Sequence, residues 1–199
     1  RGIVERERSH LSIETMAGVR ALEPIWQDGK VSRARVGMGE AELRPGEIPV
    51  ALSEDITEGP VIDYPLRVER VDLRLTFVSM GNPHAVAFIE TPVEKFPLHR
   101  IGPKVERHAM FPKHVNFSIV NVVDWGGLTA RVWERGAGET LACGTGACAI
   151  AVASRLHSFT GNDVDITLPG GTLGVVLDRK GQVWLEGPVE EVFEGEWDG

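Results

Sequence analysis

The chain is poor in cysteine. It has two, Cys143 and Cys148, five residues apart in a chain of 199. Two cysteines make no disulfide framework, and this spacing matches neither a CxxC redox pair nor a zinc pattern. Their scarcity fits a reducing cytoplasm. Long apolar runs are also lacking: none approaches the roughly 18 residues of a membrane-crossing helix, so no membrane is expected as a partner. The first ten residues, RGIVERERSH, contain no apolar segment of the kind a secretory signal carries. They open on Arg and not on Met, which points to a processed chain or a piece of a longer one. Positive charge is short as well. A formal net charge of −8 argues against nucleic acid, whose phosphates require clustered Lys and Arg. The charge is spread along the chain and reads as a solvated surface.

What remains is ordinary for a globular protein: 42% apolar and 25% charged residues, in a length that suits one large domain or two small lobes. Residues 10–22 alternate around a Gly turn, QDGK is a hairpin-type turn, and VSRARVGMG is a second strand. Residues 45–65 form a Pro- and Gly-bearing connector and a candidate lobe boundary. Val71, Leu73, Leu75 and Phe77 alternate as a strand, and residues 85–89 make another. Residues 94–111 read as an excursion containing a helix. HVNFSIVNVV, the turn at Gly126–Gly127 and LTARVWERG form a hairpin. Three further strands follow from VDITL to the C-terminus.

Residues 144–156 give the clearest helix. Ala147, Cys148, Ala149, Ile150, Ala151, Val152 and Ala153 leave it no polar face, the mark of a buried helix. Being thin, it lets strands approach closely, and a sheet wrapped around a central helix is expected. A weak internal repeat sharpens this. Residues 12–40 and 165–190 share the order strand, Gly turn, strand, Gly turn, strand. In a duplicated chain each half carries its own helix before this unit. The first half's equivalent of Cys143 then falls about ten residues upstream of Arg1.

The chemistry concentrates in ERGAGETLACGTGACA, residues 134–149. Cys143 is packing, half of a disulfide, or a nucleophile or base held at a helix mouth. The run Gly144-Thr145-Gly146 opens the helix with free N–H groups, which favour an anion or a thiolate there. Cys148, on the body of the helix, is the packing cysteine. Glu134 and Arg135 are either a surface ion pair or part of a site. In GNPH, Asn82 and His84 flank a proline that fixes a turn, with an incidental histidine as the plainer reading. Asn116 lies in an apolar strand, satisfied by backbone or aimed at a ligand.

Taken together, MGNPHAV at 80–86, VNF at 115–117 and ERGAGETLACGTGACA at 134–149 resemble the diaminopimelate epimerase family, one of the cofactor-independent amino-acid racemases and epimerases. The resemblance covers essentially the whole chain but only about the C-terminal two thirds of the family's length. It implies an α/β (α+β) fold of two pseudo-symmetric lobes, each a mostly antiparallel sheet around a central helix, with the first lobe incomplete. Residues 1–44 would be the remainder of that lobe, 45–187 the second lobe, and 188–199 a segment returning to the first. It implies that Cys143 is the second of two catalytic cysteines, the first lying in an absent CGNG-type segment. Gly144 and Thr145 would bind the substrate α-carboxylate through their N–H groups. Asn82, Asn116 and Arg135 would bind the distal amino-acid end, Glu134 would lie near the α-ammonium, and His84 and Glu134 would tune the thiols. No cofactor and no metal are implied. The implied partner is diaminopimelate, converted from LL to meso form for lysine and peptidoglycan precursors in the cytoplasm, and a homodimer is among the expected states.

Such residues suit that chemistry. An amino-acid α-C–H is a very weak acid, and without pyridoxal the carbanion must be stabilised by helix N-termini aimed at the carboxylate. Inversion needs a base on one face and an acid on the other, roles that a thiolate and a thiol can exchange. A cationic His84 would favour the thiolate. Two other readings stand beside this one: a proline-racemase-like or phenazine-biosynthesis-like isomerase, and a ligand-binding chain that does not epimerise.

Overall fold

A computed structural model describes residues 8–15, 18–52, 56, 58–193 and 195–196. Parts of the expected first lobe (1–7, 16–17), of the connector (53–55, 57) and of the C-terminal segment (194, 197–199) lie outside the described residues. Twelve strands and two α-helices run in the order β1 (Leu11–Thr15), β2 (Gly18–Gln27), β3 (Lys30–Glu40), β4 (Tyr64–Val68), β5 (Val71–Ser79), β6 (Pro83–Phe88), α1 (Leu98–Glu106), β7 (Asn116–Val122), β8 (Gly127–Glu134), β9 (Gly138–Thr140), α2 (Gly144–Leu156), β10 (Asp163–Leu168), β11 (Gly171–Leu177) and β12 (Gln182–Pro188).

All belong to one sheet, ordered β1-β2-β3-β12-β11-β10-β8-β7-β6-β5-β4, with β9 paired to β8 alone. Most pairs are antiparallel. The exceptions are β6–β7 and β8–β10, joined through α1 and α2 as parallel crossovers require. Local turns explain the antiparallel pairs other than β3–β12: Asp28 and Gly29, at φ 52° and 74°, turn β2 into β3 with the twist a two-residue hairpin needs. The repeat seen in the sequence is two three-stranded meanders, β1–β3 and β10–β12. They join along β3 and β12, where Val36 faces Leu185.

Helix α2 runs from Gly144 to Leu156, as its uniformly apolar composition requires, and every residue from Gly146 to Ser154 is buried. It packs on β5, β6, β7, β10, β11 and β12, strands from far-apart places in the sheet order. The sheet therefore curls around it. A bridge from Glu42, just past β3, to Ser79 at the end of β5 brings the two sides of the curl together. Phe88, His157 and Phe159 stack at the far end of the helix, their centroids 4.9 to 5.0 Å apart.

Helix α1 covers the opposite face. Leu98, Ile101 and Val105 pack with Leu73, Leu75, Phe77, Phe117 and Ile119 in a second core. Strands β5–β7 thus lie between two helices, and each is buried on both faces over several consecutive residues, Leu75–Val78, Pro83–Ala87 and Asn116–Val120. The strand β9 was not expected. It has three residues, two glycines close by and no propensity of its own, and exists because β8 offers it a free edge.

Candidate functional site

Cys143 is the N-cap of α2. Its backbone is extended (φ −138°, ψ 107°), and its carbonyl accepts the first helical hydrogen bond, from Ala147 at 2.8 Å. The Cys143 sulfur engages neither the Gly144 nor the Thr145 N–H, so those two first-turn donors stay available, the feature they were expected to supply. A Cβ at position 146 would lie 3.1 Å from the sulfur, a tight contact that glycine avoids. The Gly146 N–H reaches Sγ.

A chain of polar side chains leads to this sulfur. His84 Nε2 is 3.1 Å from Asn82 Oδ1, Asn82 Nδ2 donates to Thr145 Oγ1 at 3.3 Å, and Thr145 Oγ1 is 3.7 Å from Cys143 Sγ. Since Oδ1 accepts, His84 carries its proton on Nε2. Since Thr145 already accepts from Asn82, its own proton is free for the sulfur. Glu134, at the end of β8, completes the surround; its Oε1 accepts from Thr140 Oγ1 at 2.5 Å.

The electrostatics correct two expectations. The helix mouth was expected to lower the pKa of Cys143, but the thiol is pushed up to about 11. Burial is the main cause. The Gly146 N–H and Thr145 hydroxyl pull it down, and the Glu134 carboxylate raises it further. At neutral pH this favours the thiol form of Cys143. Nor is His84 a cation. It is fully buried in β6, and burial first, the Arg135 charge second, bring its pKa down to about 3. Its Nδ1 has no hydrogen-bond partner among the described residues. Whatever His84 does for the thiol, it does as a neutral donor to Asn82.

Asn116 resolves differently from Asn82. Its Nδ2 donates to the Pro83 carbonyl at 3.1 Å, and its Oδ1 accepts from the Arg135 N–H at 2.8 Å. The backbone satisfies it, and it straps β6 and β7 to the turn after β8. Arg135 is exposed. One guanidinium N–H donates to the Lys113 carbonyl at 3.0 Å, and its fork makes no other side-chain hydrogen bond among the described residues. The structure thus brings Cys143, Thr145, Asn82, His84 and Glu134 together and sets Asn116 and Arg135 in an adjoining cluster. Cys148 is fully buried, its thiol driven up to about 12 by burial, and takes no part.

Two contributors were missed. Thr140 holds Glu134, and nothing in the sequence marked it. Glu106 follows Leu98, Ile101 and Val105 on the buried side of α1, so a carboxylate on an apolar helix face was the available signal. A groove of about 460 Å³ lined by Val93, Arg131, Glu139, Leu168 and neighbours contains none of the site residues. Among the described residues, no three His, Cys, Asp or Glu side chains are grouped to hold a metal.

Comparison with known proteins bears on this geometry. Residues 76–192 match the family model described as diaminopimelate epimerase. A diaminopimelate epimerase of Methanococcus maripaludis is 47% identical over 193 residues, covering 96% of this chain and 68% of that protein. One of Acetivibrio thermocellus is 45% identical over 189 residues, covering 94% of this chain and 66% of that protein. The chain spans about two thirds of the length of these curated relatives. Among solved structures, a hydroxyproline epimerase from Agrobacterium vitis superposes with a TM-score of 0.66 at 15% identity, over 94% of this chain and 59% of that one. A phenazine biosynthesis protein of the PhzF family from Bacillus anthracis gives 0.61 at 15%, over 96% and 69%. At such identities these two bear on the fold alone.

Proposed function

Because the chain belongs to the diaminopimelate epimerase family, we propose that it supplies one acid/base side of a cofactor-independent amino-acid epimerase acting on diaminopimelate. The observation that carries this reading is a buried thiol at a helix N-terminus whose Gly144 and Thr145 N–H groups are free, approached by a line of hydrogen-bond donors from His84 through Asn82 and Thr145. An α-carboxylate at the first turn of α2 would accept from the free N–H groups of Gly144 and Thr145. Charge moving onto it as the α-proton leaves would be stabilised by the helix dipole. The α-ammonium would lie against Glu134. There it offsets the carboxylate that now raises the thiol pKa, so substrate binding itself favours the Cys143 thiolate that can take the α-proton. Arg135 has guanidinium donors to spare for a distal carboxylate, and Asn82, in the adjoining cluster, would reach the same distal end. Asn116 acts by holding the backbone of Arg135.

Stereoinversion needs a second group on the opposite face of the α-carbon. Cys148, the only other cysteine, is sealed inside α2 and cannot be it. On this reading residues 1–44 and 188–199 belong to one lobe and 45–187 to the other. The reaction would serve lysine and peptidoglycan precursors in the cytoplasm. The presence of one site cysteine favours a second reading for these 199 residues, a chain that binds the amino acid without inverting it.

Titration of the chain with meso-diaminopimelate, alongside ¹H NMR of the α-proton in D₂O, tests both. Binding should be weakened about tenfold or more by Arg135→Ala, the scale of a lost charge-assisted pair. Alanine, which has no distal end, should bind equally to both forms. Absence of diaminopimelate binding, or equal losses for both ligands, would overturn the proposal. Two-way epimerisation by these 199 residues would remove the binding-only reading.

A further inference from the structure

Glu106 ends α1 as a carboxylate only 3% exposed, and both oxygens are engaged. Trp133 Nε1–H donates to Oε2 at 2.8 Å and the Gly136 N–H donates to Oε1 at 3.0 Å. His114, half exposed, faces it with Nδ1 3.7 Å from Oε1. The approach of the indole depends on Gly102, one turn earlier: a Cβ there would lie 2.6 Å from the Trp133 ring. Burial pushes the Glu106 pKa up, but these donors, with Arg107 and His114, leave it below the ordinary carboxylate value. It therefore stays an acceptor on both oxygens.

The turn it grips lies between the two site clusters. Three successive N–H groups are held there: Arg135 by Asn116 Oδ1, Gly136 by Glu106 Oε1, and Ala137 by the Glu134 carbonyl. Gly136 and Gly138 have φ of +79° and +83°, a backbone that would not hold this path unaided. We infer that Glu106 is a positioning residue for the turn at 134–138, and that through this turn it sets the preference of the site for an amino acid with a second charged end. The inference rests on the reading of Arg135 given under Proposed function. Asn116 and Glu106 between them hold the two amides that flank the Arg135 Cα. With both held, Arg135 has only its side chain to order when it meets a distal carboxylate.

A carboxylate is needed because both partners donate. In Glu106→Gln the side-chain NH₂ must face one of them, setting donor against donor. The test is hydrogen exchange at the Gly136 amide, with titrations of meso-diaminopimelate and alanine, in the 199-residue chain, in Glu106→Gln and in Trp133→Phe. Glu106→Gln should speed Gly136 exchange and weaken diaminopimelate binding, each about tenfold, with alanine binding unchanged. Trp133→Phe, which leaves the Oε1 bond in place, should retain both protection and affinity. If Glu106→Gln does not fold, Glu106→Asp carries the same comparison with the charge kept and the reach shortened. Unchanged Gly136 exchange overturns the clamp, and equal loss of both ligands overturns the specificity role. If the unaltered chain binds neither amino acid, the reading of the site fails and takes the specificity role with it. The clamp is then decided by Gly136 exchange alone.

Discussion

Ile13 in β1 and Ile166 in β10 hold matching places in the two meanders. Ile166 is fully buried, whereas Ile13 is 43% exposed. Around them the contrast continues. In β10, Val164, Ile166 and Leu168 all turn onto α2, and Asp163, Asp165 and Thr167 turn outward. In β1 and β2 the alternation is there in the letters, but among the described residues neither helix lies along it, and Val19 and Ile25 are exposed as well. Local pattern and Gly turns are enough to form a meander. What distinguishes one surrounding from the other is a helix, and among the described residues the shifted thiols and imidazole lie where one is packed.

The contrast can be tested in order of expected effect. Ile166→Ala should cost about 2–5 kcal/mol in urea denaturation, the range for a fully buried aliphatic, and Ile13→Ala less than about 1. Equal losses would mean that the β1 meander is as well packed as the β10 one. Next comes His84. Its folded pKa of about 3 lies below the ordinary 6.5, so the unfolded chain takes up the proton first. Stability that depends on a neutral His84 is complete above about pH 6.5 and is lost as pH falls towards 3. By pH 5 the loss should reach about 2 kcal/mol. The His84 ring signals should not titrate between pH 8 and 5; a midpoint near 6.5 would show the ring to be solvated. The smallest effect concerns Cys143. Its alkylation by iodoacetamide should climb with pH towards about 11, and Glu134→Gln should raise the rate at pH 8 about three- to tenfold by removing a nearby negative charge. Cys148 should stay unmodified. An unchanged rate in Glu134→Gln would show that burial alone sets the thiol.

These contrasts mark what was legible in the sequence. Helix α2 was readable end to end because seven consecutive apolar residues admit no other placement in water. Helix α1 was visible only as a region, since Gly102 and Pro103 interrupt its pattern; its glycine makes sense once Trp133 is seen against it. Strand positions followed from period-two alternation, but the strand order did not. The pairing of Val36 with Leu185 leaves no trace in either local segment. The site divided the same way. Cys143, Thr145, Asn82 and Glu134 were marked by their motifs and do meet. The protonation states were misjudged, because desolvation depends on what the fold stacks around a group. Asn116 looked the same from the sequence whether it served a ligand or a backbone amide, and only its partners distinguish the two.

The seam between β3 and β12 also has a consequence in time. During synthesis β3 forms with β2 early, but its other edge has no partner until residues 182–188 emerge. Until then that strand offers open N–H and C=O groups, the kind of edge that recruits strands from other chains. Its run of Lys30, Arg33 and Arg35 puts like charge along that edge and would keep two nascent copies apart. Arg33 is later drawn into a pair with Glu186 at 2.7 Å, so the charge that guards the edge while it waits becomes part of the latch that closes it.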